Sequence, residues 1–165
     1  MNVAATPNLV GITGIARRLV LDGALDEASA REALEKATAA RKQIATYLRE
    51  HKLVTAAQMA AAQSVEFGMP ILDVSAMDAQ STAVKLVSEE LLHKHMVLPL
   101  FKRGARLFVG ISDPTNAPAL DEIKFHTNLT VEPILVDEDS IKRTLEIWLQ
   151  SSDSFGEELD VAGGL

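Results

Sequence analysis

The sequence predicts an α+β fold in two parts: a helical lobe over residues 11–68, built as a duplicated helix-turn-helix, and a small α/β lobe over residues 70–150 with a mixed sheet of at least three strands. Three observations predict it. Ile15, Ala16, Leu19, Leu25, Asp26, Ala30 and Ala33 recur 29 positions later, in matching character, as Ile44, Ala45, Leu48, Val54, Thr55, Met59 and Ala62, the mark of an internal repeat. Between Met96 and Asn116 two apolar runs flank the basic segment Lys102-Arg103-Gly104-Ala105-Arg106, the pattern of a β-hairpin. Strand, helix and strand then follow in order, which implies a parallel, right-handed crossover.

Taken in order, Met1 to Val10 is polar, contains Pro7 and has no periodicity, so it is expected to be mobile. Ile12, Ile15, Ala16 and Leu19 share one helix face, and Gly23 stands where a C-terminal cap belongs. Asp26 can accept the free N–H groups of a second helix whose inner stripe is Ala30, Ala33, Leu34 and Ala37. A third, short helix uses Ile44, Ala45 and Leu48. Thr55 and Gln58 form a capping box, with Val54 and Met59 at the spacing of a hydrophobic staple, so a fourth helix starts there and runs to about Phe67. Gly68-Met69-Pro70 ends the helices. A short strand is expected over Ile71 to Val74, a weak helix around Ala83 to Val87, and a further helix capped by Ser88 with Glu89 and Glu90 in its first turn.

The hairpin pairs Val97, Leu98, Leu100 and Phe101 with Leu107, Phe108, Val109 and Ile111. Gly104 supplies the positive φ of a tight turn, and Pro99, which lacks an N–H, belongs on an edge strand. A helix begins near Pro118 with Leu120, Ile123 and Phe125 inward, and ends near Thr127-Asn128. Leu129 to Val136 makes the third strand. The last helix opens at Asp137 and buries Ile141, Leu145, Trp148 and Leu149. Residues 151–165 are rich in Ser, Gly and acids and read as a linker.

Composition bounds the function. At 165 residues and 47% hydrophobic the chain can bury a real core. No apolar run approaches the roughly 20 residues that span a bilayer, so direct membrane insertion is not expected. The absence of cysteine removes disulfides and thiolate zinc sites and suits the cytoplasm. A formal charge of −7 argues against nucleic acid as a partner. The charge is uneven: residues 11–54 carry eight Lys/Arg against six Asp/Glu, while residues 137–165 carry two against eight.

Catalysis finds no candidate. Of His51, His93, His95 and His126 only His93 and His95 are neighbours, and two residues apart on a helix they face different ways, so no shared metal is expected. Asp73, Asp78, Asp113, Asp121 and Glu122 each have a simpler role as caps, turn formers or surface charge. No GxxxxGK[ST] loop occurs to cradle nucleotide phosphates. No cofactor is expected, and no ATP turnover.

Several motifs carry a resemblance: Glu66-Phe67-Gly68-Met69-Pro70, Leu86-Val87-Ser88-Glu89-Glu90-Leu91, Val97-Leu98-Pro99-Leu100 and, above all, Leu107-Phe108-Val109-Gly110-Ile111-Ser112-Asp113-Pro114. From Ile12 to Leu149 the sequence resembles the N-terminal region of type IV pilus assembly ATPases of the PilB family, relatives of the type II secretion ATPases. The resemblance implies a cytoplasmic regulatory and docking module at the inner-membrane face of the pilus machine, with residues 151–165 leading to an absent hexameric motor. It implies a PilZ-type regulatory protein and the inner-membrane assembly platform as partners. The alternative it implies is a sensor of cyclic di-GMP, bound by an arginine, a leucine and a close-packing glycine in each copy of the helical repeat. Here Gly14 and Gln43 occupy the arginine positions, and Ala16 and Ala45 the glycine positions. Arg17 and Arg18 lie nearby but off that face.

A docking surface is expected on the helical lobe. At about 100° per residue, Leu21 falls opposite the buried set of its helix, and Tyr47 falls off the face of Ile44, Ala45 and Leu48. Arg17, Arg18 and Arg49 would rim the patch, as charged residues rim many interfaces.

Overall fold

The computed structural model describes residues 6–77 and 82–162. Met1 to Ala5 of the lead, Asp78, and the last three residues of the expected linker lie outside the described residues. The fold is α+β, with two compact units, Met1–Met69 and Pro70–Leu165.

The first unit holds α1 (Gly14–Leu21), α2 (Glu27–Ala39), α3 (Ile44–Glu50) and α4 (Ala56–Phe67). The caps are those the residues call for. Asp26 accepts from Ser29 N–H at 2.8 Å, which holds its carboxyl below the usual range. Thr55 and Gln58 complete the reciprocal capping box. Ala16, Leu19, Ala30, Ala33, Leu48, Met59 and Ala62 form one buried cluster with Ile12.

The repeat extends to the backbone. After α1, Ala24 N–H donates to the Leu19 carbonyl at 3.0 Å and Gly23 N–H to Val20 at 3.1 Å; after α3, Leu53 donates to Leu48 at 3.0 Å and Lys52 to Arg49 at 3.1 Å. Both helices thus end in the same Schellman closure, 29 residues apart. Gly23 takes the left-handed position with φ 72°, whereas its counterpart Lys52 must hold φ 51° with a Cβ present. Lys52→Gly is therefore expected to raise stability by roughly 0.5–1 kcal/mol, read as a higher urea midpoint at unchanged slope.

The second unit holds α5 (Glu89–His95), β1 (Leu98–Arg103), β2 (Arg106–Ile111), α6 (Ala117–Thr127), β3 (Thr130–Leu135) and α7 (Glu138–Ala162). The sheet order is β1-β2-β3, antiparallel then parallel, so it is mixed as predicted. Gly104 turns the hairpin with φ 59°, and Pro99 lies on the edge strand, where a bulge interrupts the register before Phe101. The α7 helix packs on β1 and β2, and α6 on β3. Ile123, Ile141, Leu145 and Trp148 are buried. At Gly110 a Cβ would lie 2.9 Å from Val136 Cγ2 and 3.4 Å from the Leu98 carbonyl oxygen, so this glycine is required for packing rather than for a turn.

Four expectations need correction. Asn8 to Val10 is not loose: Arg31 donates to the Val10 carbonyl at 2.7 Å and the Asn8 carbonyl at 2.8 Å, and Asn8 N–H reaches Glu27 at 3.0 Å. Ile71–Val74 contributes one parallel bridge, Ile71 to Leu135, because Asp73 caps a tight 3-10 turn over Val74–Ala76. Phe125 is 91% exposed, since α6 buries Ala119 and Ile123 and a residue two further on points away. The last helix does not stop near Ser151; its backbone is helical to Ala162.

Candidate docking surface

Eight residues of α1 bury Ala16, Leu19 and Val20, which leaves the opposite side to Arg17 and Leu21 at i and i+4. Leu21, the last residue of the helix, is 47% exposed. A leucine there stabilises nothing inside its own unit comparable to what burial would give. Arg18 is turned along the helix instead: its Nε and Nη2 both reach Asp22 Oδ1, at 3.0 and 2.8 Å.

The second copy does not supply the matching half of the patch. Tyr47 is 8% exposed, belongs to the core cluster, and stacks on His51 with centroids 4.0 Å apart. The helical count fails here for a physical reason: α3 packs against α1, α2 and α4 together, so its buried arc is wider than one face. The repeat itself pairs Leu21 with Glu50 and Tyr47 with Arg18, so Leu21 has no apolar counterpart in the second copy. Arg49 is half-buried. The structure therefore leaves Arg17 and Leu21 as the outward pair, with Arg18 committed to Asp22.

At the positions where the resemblance places arginines, Gly14 is exposed with φ 61° and Gln43 is exposed. Ala16 is fully buried and Ala45 half-buried. Among the described residues no group of His, Cys, Asp or Glu is arranged to hold a metal, and no helix is long and apolar enough to cross a membrane.

Sequence reasoning missed two charged constellations. One is the Arg31–Glu27 clasp on the lead. The other joins α5 to α6: His95 Nε2 lies 2.5 Å and Lys94 Nζ 3.2 Å from the Glu122 carboxylate, whose pKa these bonds, the His95 bond first, hold below the ordinary glutamate value. Arg31 and Glu27 are an i, i+4 pair, but their reach to the lead spans 19 to 23 residues and the α5–α6 cluster spans 27 and 28, so neither long-range contact has a signal in spacing.

A family model of the MshEN domain matches residues 67–154. The chain belongs to the MshEN domain family. The matched stretch runs over the α/β unit rather than the duplicated helices. Among proteins of known role, the MshEN-containing chain is similar to the type IV pilus assembly ATPase PilB of Pseudomonas aeruginosa, at 35% identity over 143 residues, covering 87% of this chain and 25% of the relative. It is 36% identical to PilB of Acinetobacter baylyi over 152 residues, covering 90% of this chain and 26% of that one. The chain thus spans about a quarter of the length of these relatives. Two solved structures share the MshEN fold at 19% identity: MshE with cdg, at a TM-score of 0.66 over 82% of this chain and 99% of that one, and the N-terminal domain of XpsE, at 0.67 over 81% and 92%.

Proposed function

We propose that the chain is the regulatory and docking module of a type IV pilus assembly ATPase, held through residues 151–165 to a hexameric motor that hydrolyses ATP elsewhere in the protein. Its place is the cytoplasmic face of the inner membrane, with a PilZ-type regulator and the assembly platform as partners. The observation that carries this reading is the outward pair Arg17 and Leu21 on α1, an apolar anchor with a cation one turn away, on the side of the helix opposite its buried Ala16, Leu19 and Val20. The likeness to PilB supports the setting.

Leu21→Arg is expected to weaken capture of a purified PilZ-type protein by at least 1–2 kcal/mol, about 5- to 30-fold, with an unchanged melting temperature. Unchanged binding would move the contact away from α1, and a lower melting temperature would assign Leu21 to the core. Cyclic di-GMP sensing is the second reading, favoured by the neighbouring structure of MshE with cdg. Against it stand Gly14 and Gln43, which offer no guanidinium to clamp phosphate. Calorimetry with cyclic di-GMP in the same series separates the two.

A further inference from the structure

We propose that the outer face of the β1–β2 hairpin docks a second copy of this chain, through the acidic stretch of that copy between residues 146 and 160. Strand alternation and the observed register put Phe101, Arg103, Arg106 and Phe108 on one face, with Phe101 opposite Phe108 and Arg103 opposite Arg106. The two rings stack at 4.6 Å and 22°, and the Arg103 guanidinium sits 5.3 Å from the Phe101 centroid.

Two arginines directly opposite on adjacent strands repel. Within the structure the nearest relief is Glu132, whose carboxylate is 4.0 Å from Arg106 Nη1 at a largely exposed position, where such a pair contributes little. By the same alternation Lys102, opposite Leu107, belongs to the other face, so the charge of this one is that of Arg103 and Arg106. The face is thus a rigid platform with unspent positive charge.

Its chemistry selects carboxylates. Guanidinium groups present paired donors that match a carboxylate fork, and the outward edges of stacked rings are the electropositive part of the aromatic quadrupole. The rings already cover each other's faces, which disfavours stacking with a nucleobase. The hairpin tip is Gly104-Ala105, with no bulky apolar side chain to enter a lipid surface.

Charge complementarity identifies the occupant. Residues 137–165 carry eight acids against two bases; Glu146 is exposed between the buried Leu145 and Trp148, and Asp153, Glu157, Glu158 and Asp160 fall on the backbone of α7 beyond Trp148. One chain therefore carries both poles, so each copy can offer its acidic stretch to the hairpin of another.

The test is sedimentation velocity of the whole chain over a concentration series. Association is expected at about 50 mM salt and is expected to be lost at about 500 mM, where screening falls to a few ångströms. Arg103→Glu with Arg106→Glu should weaken it at least about tenfold, and Glu157→Lys with Glu158→Lys likewise. An equimolar mixture of the two charge-reversed chains should associate again. Arg103→Gln with Arg106→Gln, checked by circular dichroism, covers the case in which reversal disturbs the hairpin. A chain that stays monomeric throughout, or association indifferent to the arginines, overturns the proposal. So does a salt-sensitive compaction independent of concentration, which would seat the acidic stretch on its own hairpin. Arginine-dependent binding to anionic vesicles or a single-stranded oligonucleotide without self-association overturns it as well.

Discussion

Trp148→Ala lowers the unfolding free energy of the α/β unit by about 3–5 kcal/mol. The indole is buried on the face of α7 that also carries Ile141 and Leu145, and α7 packs on β1 and β2. Truncation removes the largest side chain in that layer, and a rigid three-stranded sheet can close only part of the void. Against the roughly 5–15 kcal/mol that holds a typical domain together, the loss is severe. Urea titration by circular dichroism measures it. Trp148 is the chain's sole tryptophan, so its fluorescence in the wild type follows this unit and supplies an independent baseline. A loss below about 1 kcal/mol would mean that the helix is held by something other than its apolar stripe.

Leu19→Ala and Leu48→Ala each cost about 2–5 kcal/mol, and the two losses agree within about 1 kcal/mol. Both side chains are fully buried in the same cluster, and both carbonyls accept the closing bond of their helix. The test compares urea midpoints of the two variants and of the double variant. Because they share a core, the double loss departs from the sum. Unequal single losses would show that the repeat is shared geometry without shared energetics.

The parts of the fold legible in the sequence are those fixed by neighbours a few residues apart. Thr55 with Gln58, Ser88 ahead of two glutamates, and Gly104 between two apolar runs each specify a local backbone, and the structure has them. The parallel β2–β3 pairing was legible because strand, helix and strand leave few topologies. Tyr47 was misread because one helical wheel assumes one neighbour, whereas α3 has three. Phe125 departs from the expectation because the i, i+4 pair Ala119 and Ile123 already completes the inner side of α6, which leaves the ring two residues on outside it. The exposure of Leu21 was legible from spacing on a single short helix. Residue order shows the Glu27–Arg31 spacing and the basic turn between Phe101 and Phe108, but the reach of Arg31 to the lead and the stacking of the two rings depend on contacts that form only on folding.

The clasp on the N-terminal lead bears on how this protein can be shortened. Arg31 reaches back over 21 and 23 residues to two carbonyls of a stretch that looks dispensable, while Leu9 packs on the core and Ile12 is buried within it. Cutting ahead of Ile12 would strip a guanidinium of two acceptors and uncover part of the apolar cluster in one step. Domain boundaries drawn at the first helical residue would therefore carry a core defect into any fragment, and a tag joined there would be read by α2 as a missing strap rather than as a neutral extension.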